Sequence, residues 1–143
     1  MTTFSITERQ LGTLRATADR IIPPDETCGA AEAGAAEFIL GLLGGDWSSE
    51  QATYLEGLDG IDREAEACHG RAFTALTAGE QDAMLKAIEE DDLKTAWTIS
   101  SRRFFQMLVE HVLEGFYADP GNGGNRDAVS WKMIGYRAEG GTW

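Results

Sequence analysis

The sequence predicts an all-α protein: an irregular bundle of four to five helices, with a Gly/Asn-rich loop and an extended C-terminal tail. Three observations point there. Apolar residues recur three and four positions apart in successive segments, as one face of a helix requires. Ser/Thr-x-x-Glu/Gln patterns stand ahead of several of those segments and read as helix starts. No segment alternates apolar and polar residues as a half-buried strand would. The 143 residues are one domain's worth, so residues 1–143 are expected to form a single helical domain, with loop and tail over 118–143.

Thr7-x-x-Gln10 opens the first helix, which carries Leu11, Leu14, Ala18, Ile21 and Ile22. Pro23-Pro24 ends it, because the residue before a proline is pushed out of the α region. A loop with Asp25, Cys28 and Gly29 follows. The second helix carries Ala35, Phe38, Ile39, Leu42 and Leu43 and closes at Gly44-Gly45. Ser48-x-x-Gln51 predicts the start of a third, with Tyr54, Leu58 and Ile61 inward and an end near Gly70. Phe73 and Leu76 precede the Thr77-x-x-Glu80 cap of a fourth helix, whose buried stripe is Met84, Leu85 and Ile88. Glu89-Glu90-Asp91-Asp92 ends it; four acids oppose the helix dipole there, and fraying is expected. The longest helix is predicted from Lys94 to Tyr117, central in the bundle, with Trp97, Phe104, Phe105, Leu108, Val109, Val112, Leu113 and Phe116. Asp119-Pro120 breaks it. Ala128 to Ile134 is expected to make a short helical turn before an irregular tail.

The net charge of −12 excludes a nucleic-acid binder, which needs clustered Lys and Arg, and disfavours an anionic membrane surface. No apolar run reaches the ~18 residues that span a bilayer. The N-terminus has neither the basic nor the apolar region of a signal peptide, and Arg102-Arg103 lies inside a helical pattern rather than in a leader. A cytoplasmic location is expected on that basis. Cys28 and Cys68 read as two free thiols.

Catalytic patterns are weak. Gly121-Asn-Gly-Gly-Asn-Arg126 approaches a dinucleotide fingerprint, but Arg126 stands at the third glycine position and no strand precedes it. Glu66-Ala-Cys-His69 is one Glu-x-x-His where a di-iron bundle needs two. The acids Asp59, Asp62 and Glu64 lack calcium-loop spacing and read as a solvated helix face. No Gly-x-Ser-x-Gly elbow is present, and a Cys68–His111 dyad is conceivable only through the fold. Trp131, Tyr136 and Trp143 in a Gly-rich tail must pack back on the domain or meet a partner.

The Asp119-Pro-x-x-Gly-Gly-Asn125 run, followed by Trp131 and by Ile134-Gly135-Tyr136, resembles the hallmark of the gluconate 2-dehydrogenase subunit 3 family. Ile21-Ile22-Pro23-Pro24-Asp25, Gly29-Ala30 and Glu32-Ala33-Gly34 are similar to that family's other marker, and Phe104-Phe105 to Gly115-Phe116-Tyr117 fits its aromatic helix. The resemblance implies a non-catalytic small subunit that binds no cofactor or metal itself. Its partner would be a large FAD-dependent subunit of the glucose-methanol-choline type, acting on a sugar or glycoside, with FAD in that subunit. Many members of the family carry a twin-arginine leader, from which this chain departs. The expected partner interface is Asp119, Pro120, Asn122, Gly123, Gly124, Asn125, Arg126, Trp131, Tyr136 and Trp143. Two other classes stay open: a free-standing helical binding module, and a small self-sufficient enzyme with a pocket along the long helix.

Overall fold

The computed structural model describes residues 6–22 and 34–117. Five α-helices lie among them: α1 Glu8–Ile21, α2 Ala35–Leu43, α3 Gln51–His69, α4 Ala78–Glu89 and α5 Ser101–Tyr117. Short 3-10 turns at Ser48–Glu50 and Phe73–Ala75 join α2 to α3 and α3 to α4. No strand occurs among the described residues. The all-α bundle is as the sequence predicts.

Two predicted caps form in full. Thr7 accepts the Gln10 amide while the Gln10 side chain accepts the Thr7 amide, and Thr77 and Glu80 do the same for α4. Each box satisfies two amides that a helix start otherwise leaves open. The third predicted cap does not form. Ser48 begins a 3-10 turn, and the Gln51 side chain instead donates to Leu43 O at 2.6 Å. That bond closes the end of α2 rather than the start of α3.

α5 packs on all four other helices, which makes it the central element. Phe104, Leu108, Val112 and Phe116, one turn apart, are at most 1% exposed. Facing them are Leu14 and Ala18 of α1, Ile39 and Leu43 of α2, Tyr54, Leu58 and Ile61 of α3, and Leu85 and Ile88 of α4. Burying one such side chain contributes roughly 1.5–3 kcal/mol, against about 0–1 kcal/mol for an exposed ion pair such as Arg20–Asp82. The apolar stripe therefore sets the packing, and the surface pairs trim it.

Two expectations for α5 are corrected. It starts at Ser101 rather than Lys94, and α3, at 19 residues, is longer than its 17. The cause is a row of contacts from α3. Glu64 accepts the backbone N–H groups of Lys94 and Thr95 at 2.8 and 2.7 Å and the Thr95 hydroxyl. One turn earlier Trp97 lies over Gly60, and one turn earlier again Glu56 accepts the Thr98 hydroxyl at 2.8 Å. Glu56, Gly60 and Glu64 thus hold residues 94–98 as a strap antiparallel to α3. A helix begun at Lys94 would leave its first amides open in any case; it is the run of contacts along α3, with Trp97 and Thr98 drawn to successive turns of that helix, that holds residues 94–98 outside α5. The helix starts only where Ser100 Oγ accepts the Arg103 amide.

The sequence suggested a solvated face for Asp59, Asp62 and Glu64; Asp59 is partly exposed, but Asp62 and Glu64 are buried. Asp62 is 8% exposed and Glu64 3% exposed. Asp62 accepts from the Arg9 guanidinium, from the Thr13 hydroxyl at 2.9 Å and from the Phe73 amide at 3.2 Å. Asp59 accepts from Arg9 and from the Gln10 amide group. Burial works against ionisation of Asp59, yet the hydrogen bonds from Arg9 and Gln10 and the charges of Arg9 and Arg63 hold its carboxyl below the usual range. At the end of α4, where the acids oppose the dipole, the Arg102 side chain donates to Glu89 O and Glu90 O.

Glycine lets α5 and the strap approach α3. A Cβ on Gly57 would lie 2.3 Å from the Phe104 ring, and one on Gly60 would lie 2.7 Å from Trp97. Gly57→Ala is expected to destabilise by about 2 kcal/mol or more, despite alanine's better helix propensity, because sealed Phe104 has nowhere to go. Glu64→Ala is expected to cost about 2–4 kcal/mol by stranding two amides. Urea unfolding with an unchanged m-value checks both; wild-type midpoints would refute the strap.

Candidate functional site

Two segments that resemble family markers border the described helices at one corner. The first marker closes at Gly34, whose φ of 93° is a conformation that favours glycine. Gly34 enters α2, and the second marker begins two residues after α5 ends at Tyr117. At this corner α2 and α5 cross closely: a Cβ on Gly115 would meet Ala35 Cα and the Phe38 ring at 3.0 Å. Ile21 and Ile22, which open the first marker, are half-buried beside the core. The ten predicted interface residues, Asp119, Pro120, Asn122, Gly123, Gly124, Asn125, Arg126, Trp131, Tyr136 and Trp143, lie outside the described residues. So do Pro23, Pro24, Cys28, the Asp25 loop and the expected turn at Ala128 to Ile134.

An aromatic stack continues from this corner along α2 and α5. Phe38 meets the Trp47 indole edge-on, with ring centres 6.0 Å apart. Trp47 stacks on His111 at 3.7 Å, with an interplanar angle of 15°. His111 Nδ1 is 2.6 Å from the Tyr54 hydroxyl, and Tyr54 lies edge-on to Phe104. The stack joins the outer face of α2 to the core.

The protonation states follow from burial. Tyr54 is fully buried, and desolvation first, then the charges of Glu50 and Glu114, raise its pKa. It therefore keeps its proton, and in the tautomer of neutral His111 that carries its proton on Nε2, the Tyr54 hydroxyl donates to Nδ1. Desolvation also lowers the His111 pKa; Glu110 and Glu50 oppose this but do not win. A protonated His111 would turn Nδ1 into a donor and strand the buried Tyr54 hydroxyl hydrogen.

His111 is thereby engaged with Tyr54 and Trp47, not with Cys68. Cys68 is exposed 14 residues further along α3 from Tyr54, about 21 Å at the helix rise. The conceivable Cys68–His111 dyad is not formed. His69 instead lies 3.5 Å from Glu80, which also pairs with Arg71. Among the described residues no group of three or more His, Cys, Asp or Glu side chains could hold a metal ion. Among them, too, no helix is long and apolar enough to cross a membrane.

The helical periodicity did not single out Trp47. It sits in the turn after α2, where no periodic pattern places it, and its one signal was a large aromatic in a Gly-Gly-Asp-Trp turn. The Tyr54–His111 bond joins residues 57 positions apart and has no local signature.

The bundle thus defines a small helical protein whose clustered polar groups are engaged in holding its own elements together, beside a corner flanked by two marker segments. The family model described as gluconate 2-dehydrogenase subunit 3 matches residues 8–140, most of the chain. The chain belongs to that family, a subunit type of gluconate dehydrogenase complexes. No curated protein and no solved structure matches it.

The depressed His111 pKa has a consequence for stability. Below the ordinary value of 6.5 the unfolded chain takes up the proton that folded His111 resists. Its contribution is therefore present above that pH and is lost as pH falls through the folded value. The carboxylates with lowered pKa values, Asp59, Glu80 and Asp82, act only below their ordinary range near 4. Denaturant midpoints are expected to fall between about pH 7 and pH 5, and to fall less in His111→Gln. Equal slopes in the two proteins would refute this protonation scheme.

Proposed function

We propose that this chain is the non-catalytic small subunit of an FAD-dependent oxidoreductase of the glucose-methanol-choline type, acting on a sugar or glycoside. Its role is to stabilise the large flavoprotein subunit and to help shape that subunit's substrate entrance. FAD and the reacting groups belong to the partner. The observation that carries this reading is the family match over residues 8–140, which takes in both marker segments.

The geometry supports a scaffold role. Asp62, Glu64, Tyr54 and His111 are engaged in hydrogen bonds between elements of the chain itself. The docking surface in this reading is the Gly/Asn loop from Asp119 to Arg126 with Trp131, Tyr136 and Trp143. Aromatic residues and Arg are the types that dominate binding hot spots, and a backbone rich in glycine allows close approach. Gly34, which closes the first marker, leads into Ala35, and Ala35 packs against Gly115, four residues before the second marker.

Co-expression with a large flavoprotein subunit of the glucose-methanol-choline type tests the reading. Deleting residues 119–143 is expected to abolish co-purification, and the isolated full chain is expected to show no flavin absorbance and no sugar oxidation. Assembly unchanged by the deletion would overturn the assigned interface. Flavin or activity in the isolated chain would overturn the subunit role.

A further inference from the structure

We propose that the groove on the outer face of α2 receives the chain's own C-terminal segment, anchored by Trp131 and Tyr136 with their neighbours Lys132 and Arg137. The groove has a volume of about 480 Å³ and is lined by Phe38, Gly41, Leu42 and Asp46. Phe38 and Leu42 make its walls apolar, Gly41 leaves open space where a side chain would stand, and exposed Asp46 gives one end a negative charge. That is room for a large aromatic side chain with a cation at its edge.

Charge complementarity favours this occupant. Residues 118–143 hold three acidic and three basic residues, so residues 1–117 hold the other 21 acids and nine bases and carry the whole net charge of −12. Within the tail the balance is local: Arg126, Lys132 and Arg137 stand against Asp127 alone between positions 126 and 137. Each central aromatic directly precedes a base, as Trp131-Lys132 and Tyr136-Arg137. On the helical side, Asp46 lies in the groove, while Glu50, Glu110 and Glu114 act on the adjoining His111–Tyr54 pair. An acid-edged apolar groove and an aromatic-basic segment match in both respects.

The tether makes weak docking sufficient. The segment starts after Tyr117, two residues past Gly115, which touches Ala35 at the first turn of α2. From Ala35 to Leu42 is about 10 Å along the helix, whereas the 14 residues from Tyr117 to Trp131 reach up to about 46 Å. A tether of this kind holds its end at an effective concentration on the order of 1 mM, so an intrinsic Kd near ~0.1 mM keeps the groove mostly filled. The inference concerns the isolated chain and is tested without the large subunit; in the complex proposed above, Trp131 and Tyr136 would leave the groove for that partner.

Native-state trypsin cleavage of the full chain, followed by mass spectrometry, tests it at Arg126, Lys132 and Arg137. Cleavage at Lys132 and Arg137 is expected to be at least about tenfold slower than in a synthetic peptide of residues 118–143, independent of protein concentration. Asp46→Lys and Leu42→Lys are expected to restore cleavage toward the peptide rate; exposed Asp46 can change charge without disturbing the core, and unaltered circular dichroism verifies this. Wild-type cleavage at the peptide rate, or protection unchanged in both variants, would overturn the proposal. So would protection that grows with concentration, which assigns the groove to a second copy. Protection that appears only with the flavoprotein subunit would overturn it as well, by assigning the segment to that partner.

Discussion

Two buried carboxylates on α3 are the constraint on which the arrangement rests. Asp62 and Glu64 are almost wholly removed from water, and a carboxylate in that position is tolerable only when its oxygens are filled with donors. Asp62 finds them in Arg9 and Thr13 of α1 and in the Phe73 amide. Glu64 finds them in the strap that leads into α5. Neighbouring positions on one helix thereby fix where α1 lies, where the turn before α4 begins and where α5 starts. The apolar core supplies most of the favourable free energy, but it is non-directional. The carboxylates choose among the ways in which five amphipathic segments could pack.

The same logic joins the core to the outer face of α2. Tyr54 is sealed inside, and its hydroxyl requires an acceptor; His111 supplies one and is covered in turn by Trp47. Histidine and tyrosine could suggest chemistry on a bare residue list. Here burial keeps both neutral, and their hydrogen bond is structural. The polar groups thus serve assembly of the domain, in a chain whose family is a subunit type of gluconate dehydrogenase complexes.

Local rules made much of the fold legible. The Thr7 and Thr77 boxes, the apolar spacing of Leu14, Ile39, Leu58, Leu85 and Phe104, and the stop before Pro23 all depend on neighbours within a turn or two. The misreadings share one cause. Lys94–Ser100 has acceptable helical spacing, yet Glu56, Gly60 and Glu64, 30 or more residues earlier, hold residues 94–98 along α3. Ser48-x-x-Gln51 has the letters of a cap, yet Gln51 is drawn back to the end of α2. Asp62 and Glu64 look like a wet face until Arg9, Thr13 and the strap cover them. In each case a partner outside the segment itself, from eight residues away for Gln51 to more than 50 for Asp62, overrode the local preference.

The sequence alone determined the helical class, two of the helix starts and the family, because capping chemistry, apolar periodicity and marker motifs are written in short spans. Only the tertiary structure decided which acids are buried, where α5 begins, that His111 is committed to Tyr54 and Trp47, and that Gly115 meets Ala35 and Phe38 at one corner. Those outcomes depend on contacts between residues dozens of positions apart. No local pattern can specify them, since whether a polar group is covered or wet is settled by what folds over it.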